Sequence, residues 1–446
     1  MASQYTEWFT RISHDRDLFF LDPTELTTLQ SYLEGTLPLQ DTVSSLTAPT
    51  TPQWHSTQSS RVWAMLLSIA EDYGEAHDCI IALIEALFSR PKPSQPNEQD
   101  WPGEKEFGFP RCWRDIHDCF QIIGLYNRSP VKSLPAELKD YPFLSSFEEA
   151  LALKPNVVSI NTHTATHADY AVAAMESGAH VFVEKPLATT VEDAERVVTT
   201  AQQTYRKLVI GYILRHHPSW IEFIHRARQL GPPFVMRMNL NQRSSGDAWA
   251  IHQRLLEDVK NPIVDCGVHY VDVMLQIAGS KPVQVRGMGL RLCDDLPSAE
   301  QVNYGHLQVL FANGSVGWYE AGWGPMISET AYFVKDVMGP RGSVSIVMDE
   351  ADSGDSAGTS ANINSHTKTS TLRMSTVVDG RARDQILSME GEPDHYELCS
   401  REQQFLLNAI REDRDLTQHM NDAIQSLSIV LAADRSMREN RAIDLL

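Results

Sequence analysis

Between residues 120 and 212 the chain alternates short apolar runs with longer stretches in which apolar side chains recur every three or four positions. The runs at 121–126, 157–160, 180–183 and 208–212 are dominated by Val, Ile, Leu, Phe and Tyr. Such near-continuous runs fit strands covered on both faces. The stretches at 146–153, 167–177 and 190–207 read as helices between them. Gly178 supplies a stop for the second. Thr190-Val191-Glu192-Asp193 opens the third with a hydroxyl able to cap it. Strands and helices in alternation predict βαβ units and a parallel sheet.

From about residue 215 the pattern changes. A helix is predicted near 218–230. Runs at 234–240, 283–290, 306–311 and 315–319 alternate apolar with polar, which predicts strands with one covered face in a largely antiparallel sheet. Two helices near 394–411 and 418–438 close the chain. Residues 351–371, rich in Ser, Gly, Asn and Thr, read as an exposed loop. Ahead of the alternating region, residues 1–112 read as helical. Asp22-Pro23-Thr24-Glu25 is a helix start, Gly35 a stop, and Val62, Leu66, Ile69, Ile80, Ile81, Ile84 and Leu87 keep helical spacing. A Pro-rich linker follows. No internal repeat is visible.

Composition narrows the partners. The net charge is -20 over 446 residues, so the surface repels a phosphate backbone, and nucleic acid and anionic membrane are excluded as expected partners. No apolar run approaches the about 20 residues that span a bilayer. The first twenty residues mix Glu7, Arg11, Asp15, Arg16 and Asp17, unlike a secretory leader. The six cysteines form no CxxC pair. They read as reduced thiols, and the expected compartment is the cytoplasm.

Three clusters carry chemistry. Ser159-Ile160-Asn161-Thr162-His163-Thr164-Ala165-Thr166-His167 ends one predicted strand, and Glu184-Lys185-Pro186 ends the next. Ligands of parallel sheets bind at such carboxyl ends. The third cluster is Asp265-Cys266-Gly267-Val268-His269-Tyr270-Val271-Asp272. On a helix Asp265, His269 and Asp272 share one face. Plain structural readings stand beside these: Lys185 as a solvated lysine, His269 as a core histidine, His163 and His167 as helix-start residues, and Asp272 as structural. A metal bound by His163, His167, Asp265 and His269 has no recognised ligand spacing, and no metal is expected.

The Glu-Lys-Pro motif, the Asp-x-Gly-x-His-x-x-Asp helix and Gly211-Tyr212-Ile213-Leu214-Arg215-His216-His217-Pro218 together resemble the glucose-fructose oxidoreductase / inositol dehydrogenase (Gfo/Idh/MocA) family over about residues 120–446. The resemblance implies an α/β chain: an incomplete Rossmann-like parallel sheet plus an α+β domain with a largely antiparallel open sheet, preceded by the helical N-terminal extension. The implied domains are 1–112 of unknown role, 113–214 for nucleotide and 215–446 for substrate and oligomerisation. It implies an oxidoreductase acting on a hydroxyl or carbonyl of a small metabolite with NAD or NADP. Lys185 then orients and polarises the substrate oxygen, His269 is the acid/base, and Asp265 positions the substrate or tunes His269. The chemistry calls for a Lys with a lowered pKa or a His poised near neutrality. Asn127, Arg128 and Ser129 end the family's second strand and lean towards NADP. Asn161, Thr162, His163, His167 and Glu184 are further cofactor candidates, and Arg215 and Arg243 are substrate candidates. A homo-oligomer formed through the open sheet is implied as well.

The chain departs from the family in one place. No GxGxxG occurs in it, and the nearest string, Gly287-Met288-Gly289, lies in the third stretch. The Gly-rich turn normally lets backbone approach the pyrophosphate. The departure keeps two other readings open. One is a cofactor-independent isomerase, dehydratase or cyclase using the same pocket. The other is a non-catalytic sensor.

Overall fold

The computed structural model describes residues 122–127, 141–327, 334–347, 371–378, 381–389 and 392–445. The chain divides into Met1–Gly103 and Glu104–Leu446, and all described residues belong to the second unit. The predicted helices before residue 112, Arg128, Ser129 and nearly all of the 351–371 loop lie outside the described residues.

Strand β1 (Leu125–Tyr126) pairs in parallel with β2 (Phe143–Leu144), and helix α1 (Phe147–Ala152) follows, capped by Ser146. A separate parallel sheet has the order β3-β4-β5: β3 (Val157–Ile160), β4 (His180–Val183) and β5 (Leu208–Ile210). Its register sets Ile160 beside Val183 and Val183 beside Ile210, which aligns the three carboxyl ends. Helices α2 (Thr164–Glu176) and α3 (Val191–Thr204) make the crossovers. Thr190 caps α3, its Oγ1 accepting from Asp193 N–H at 3.1 Å. β5 and all of β4 but His180 are buried, and each enclosed Val, Ile, Leu or Phe contributes about 1.5–3 kcal/mol.

A short 3₁₀ turn (Ile213–His216) leads to α4 (Pro218–Gln229) and β6 (Val235–Arg243). Helices α5 (Gly246–Val259) and α6 (Pro262–Ala278) follow. Then come β7 (Pro282–Leu290), β8 (Tyr304–Phe311), β9 (Val316–Gly324), β10 (Lys335–Gly339), β11 (Gly342–Val347), β12 (Thr371–Val378) and β13 (Arg381–Ser388). Helices α7 (His395–Arg411) and α8 (Thr417–Glu439) and strand β14 (Ile443–Asp444) end the described chain. The large sheet runs β13-β12-β11-β10-β6-β9-β8-β7-β14. It is antiparallel except where β6 pairs in parallel with β9. This is the open, largely antiparallel sheet that the alternating pattern predicts.

α6 and α8 cover one face of this sheet, and α7 and α8 also pack against β4 and β5 of the parallel sheet. Gly287, part of the string nearest to a phosphate-binding motif, sits where α8 crosses β7. A Cβ there would meet the Ala433 carbonyl oxygen at 2.3 Å. Its glycine therefore serves a close backbone approach. Among the described residues no helix is long and apolar enough to cross a membrane.

Candidate active site

The carboxyl end of β4 faces the first turn of α6. Asn261 caps α6, its side chain accepting from Val264 N–H, and Pro262 occupies the first turn. That start puts Asp265 in the first turn, and its side chain meets Lys185 just beyond β4: Nζ lies 3.0 Å from Asp265 Oδ1 and 3.4 Å from the Asp265 carbonyl oxygen. The Lys185–Pro186 peptide bond is cis. Burial alone would lower the Lys185 pKa, but the Asp265 carboxylate outweighs it and holds the ammonium above its ordinary value. Burial likewise works to raise Asp265, and Lys185 reverses it, so the carboxyl lies below its usual range. Both groups are ionised at neutral pH.

His269 follows Asp265 by one helical turn. Its Nδ1 is enclosed with no hydrogen-bond partner, and the Tyr212 ring meets it edge-on with centroids 6.0 Å apart. Burial, helped by the Lys185 charge, pushes its pKa down to about 3. The sequence-based expectation of a depressed lysine or a near-neutral histidine is thereby corrected: the lysine is held charged and the histidine neutral, because each is enclosed with the other and Asp265.

Other candidates divide. Asn161 and Thr162 stand exposed beyond β3, tied to near neighbours: Asn161 Nδ2 donates to Ser159 Oγ at 3.0 Å, and the Thr162 and Thr166 hydroxyls lie 2.8 Å apart. His163 is exposed and its Nδ1 lies 3.4 Å from Asp258 of α5. Asn127 is exposed beside β1, and Arg243 is exposed at the end of β6. Three expectations are corrected. His167 is buried and its ring nitrogens lie 2.8 Å from the Pro186 and 3.0 Å from the Thr162 carbonyl oxygens, so it joins two backbone turns instead of reaching out to a cofactor. Glu184 turns inward: its carboxylate accepts the Lys185 N–H at 3.2 Å and lies 3.1 Å from where a Cβ on Gly211 would stand. Arg215 is engaged by two carboxylates, donating to Asp272 at 2.8 Å and to Asp422 at 2.7 Å, and so ties the 3₁₀ turn to α6 and α8.

Sequence reasoning missed several neighbours. Glu402 of α7 is buried, and burial together with the Glu184 charge drives its carboxyl well above the usual range; burial raises Glu184 too. Two such carboxyls do not both ionise. The signal was present, since Glu402 and Gln403 interrupt the apolar stripe of Leu398, Cys399, Leu406 and Leu407. A second group links β6, β9 and α6. Gln242 Oε1 accepts from Trp323 Nε1 at 2.6 Å and from Cys266 Sγ at 3.5 Å, and His252 of α5 stacks on Trp323 with centroids 4.3 Å apart. Among the described residues no group of three or more His, Cys, Asp and Glu is placed to hold a metal ion.

Residues 108–212 match the family model described as oxidoreductase family, NAD-binding Rossmann fold, and residues 257–445 match that of the oxidoreductase family C-terminal alpha/beta domain. The chain belongs to the Gfo/Idh/MocA oxidoreductase family. The UDP-N-acetylglucosamine 3-dehydrogenase of Acidithiobacillus ferrooxidans is 31% identical over 178 residues, 39% of this chain and 52% of that protein. The scyllo-inositol 2-dehydrogenase (NAD(+)) of Bacillus subtilis is 26% identical over 200 residues, 43% of this chain and 55% of that protein. The matched region thus spans about half the length of these curated relatives. The oxidoreductase structure yvaA from Bacillus subtilis superposes with a TM-score of 0.61 at 17% identity, covering 77% of this chain and 96% of that one, and shares the fold.

The described residues fit the reacting end of a nicotinamide cofactor. Asn161, Thr162 and Lys185 stand at the carboxyl ends of adjacent parallel strands, where such sheets take nucleotides. Asn161 and Thr162 are exposed there, open to a ligand. The segment that precedes β1 in sequence, where the family carries its pyrophosphate turn, lies outside the described residues.

Proposed function

We propose that this chain is an NAD(P)-dependent oxidoreductase interconverting a hydroxyl and a carbonyl on a small metabolite, with residues 113–214 serving nucleotide and 215–446 serving substrate. The observation that carries the reading is the Lys185–Asp265 ion pair, with a neutral His269 one turn further along α6. A nicotinamide, if held at this site in its oxidised form, would supply the acceptor for the hydride. Everything else falls to the chain. Charged Lys185 donates from Nζ to the substrate oxygen and stabilises the negative charge that develops there. Asp265 holds Lys185 in place and keeps it protonated. His269 receives the hydroxyl proton at Nε2, since Nδ1 is the enclosed nitrogen. The C–H bond gives up its electron pair as hydride, the O–H bond gives up a proton, and C=O forms; reduction runs the same steps backwards.

The absence of GxGxxG favours a second reading, acid/base catalysis in the same pocket without a nucleotide. Fluorescence titration with NADPH and NADH separates the two. Micromolar binding weakened by Arg128→Ala supports the oxidoreductase. A folded protein that binds neither nucleotide at millimolar concentration removes the oxidoreductase reading.

A further inference from the structure

His252 lies on α5, a helix the strand and helix pattern did not announce, and two contacts hold its ring. One face lies flat on the Trp323 indole, with centroids 4.3 Å apart and planes 10° from parallel. Nδ1 lies 2.9 Å from Ser244 Oγ, and Ser244 N–H in turn donates to the Gly324 carbonyl oxygen at 3.2 Å. Trp323 is itself fixed, its Nε1 donating to Gln242 Oε1 at 2.6 Å. The same Gln242 oxygen accepts from Cys266, the neighbour of Asp265. The Asp265 carboxylate acts on the His252 ring, although burial dominates and keeps it neutral. Among the described residues Nδ1–Ser244 is the hydrogen bond of this ring, and Nε2 is not among the enclosed unpaired atoms. A ring that is stacked on Trp323 and hydrogen-bonded through one nitrogen has a fixed orientation, and its second nitrogen has no partner among the described residues.

We propose that His252 is a substrate-positioning residue that binds, through Nε2, an oxygen on the carbon next to the one whose oxygen Lys185 holds. This rests on the oxidoreductase reading of the same site. A neutral imidazole can donate to or accept from a hydroxyl without bringing a second charge near Lys185 and Asp265. Two fixed groups gripping two adjacent oxygens orient the intervening C–H bond, which is what hydride transfer requires. Trp323 and Gln242 hold His252 and do not themselves touch the reacting atoms.

The test uses full-length protein with NAD or NADP and a panel of cyclic vicinal diols: myo-inositol, scyllo-inositol, D-glucose and UDP-N-acetylglucosamine. Cyclohexanol serves as the single-hydroxyl control. His252→Phe keeps the stack on Trp323 and removes Nε2. It is expected to raise KM for an accepted diol about 10- to 100-fold, with kcat changed by less than about threefold, and to leave nucleotide affinity and cyclohexanol turnover unchanged. His252→Gln should recover part of the loss. If His252→Phe does not fold, Ser244→Ala, which loosens the ring, should give the same KM effect in weaker form. Equal penalties on diol and cyclohexanol, or an unchanged KM, overturn the assignment. Nucleotide binding by the native protein without turnover of any diol in the panel overturns it too. Loss of nucleotide binding altogether instead removes the oxidoreductase reading on which it stands.

Discussion

Lys185 Nζ and Asp265 Oδ1 stand 3.0 Å apart although 80 positions separate them in the chain. The contact joins the carboxyl end of β4 to the first turn of α6, so it assembles the site only when both sheets are in place. Each ion owes its charge to the other, because burial alone would move both towards neutrality.

The pair should therefore respond asymmetrically to substitution. Lys185→Met is expected to reduce turnover by about a thousandfold, the cost of losing a charged donor at the developing negative charge, while nucleotide affinity holds. Asp265→Leu leaves a partly buried ammonium without its carboxylate and should destabilise the fold by at most about 3–5 kcal/mol. The double variant should regain most of that stability and none of the activity. Urea midpoints and steady-state kinetics on the three variants give the answer. A double variant no more stable than Asp265→Leu sinks the coupling.

The histidines set an acid window. Burial depresses His269 to about 3, and His216 and His252 to about 4. A histidine with a lowered folded pKa binds fewer protons than its unfolded counterpart between the two values. Stability therefore rises with pH through that window and is lost as pH falls from about 6.5 towards 4. Each group contributes up to about 1.4 kcal/mol per pH unit there. Activity behaves differently. His269 stays neutral and Lys185 charged across pH 6–9, so kcat/KM should show no limb near 6.5. A bell centred on neutrality in the rate profile of folded protein would falsify this charge assignment.

The strands that build the parallel sheet were legible because their apolar runs are bounded by polar or helix-starting residues. Val157–Ile160 and His180–Val183 match their predicted limits. Thr190 and Gly178 marked helix ends through their own capping and backbone chemistry. α5 was not legible. Trp249, Leu256 and Val259 are its buried apolar residues, too few for a periodic stripe, and His252 finds its partner in Trp323 on a distant strand. Strands β10 to β13 are short or polar and lie on both sides of a long Ser- and Gly-rich segment. The site motifs gave Lys185, Asp265 and His269 as neighbours. The engagement of Arg215 depends on Asp422 from the last helix, and Glu184 shares its burial with Glu402 from the helix before it; no local pattern announces either.

Arg215 offers a test of that distant support. Its guanidinium meets Asp272 on α6 through two nitrogens and Asp422 on α8 through one of them. Two carboxylates depend on one fork, which a lysine cannot reproduce. Arg215→Lys is expected to lower stability by about 2–4 kcal/mol, near the value for breaking a buried pair. KM should move little, since the side chain supports α6 and does not reach substrate. A large rise in KM with unchanged thermal stability would return Arg215 to the substrate site.

The outer face of the large sheet makes the last prediction. Val235 pairs with Val316, and Val316 with Leu310, so the three side chains form a row across β6, β9 and β8. All three are exposed, as are Met288 and Leu290 on β7. α6 and α8 cover the opposite face. An apolar row on an open sheet is a surface for association, and a second copy of the chain suits it because a two-fold axis brings the same row against itself. We expect the protein to be a dimer, or a tetramer built from it, by light scattering. Val316→Glu combined with Leu310→Glu sets like charges beside each other and across the interface, and should yield a monomer whose melting temperature differs from that of the native chain only through the loss of association. A native protein that is monomeric at tens of micromolar leaves this face without a partner of its own kind.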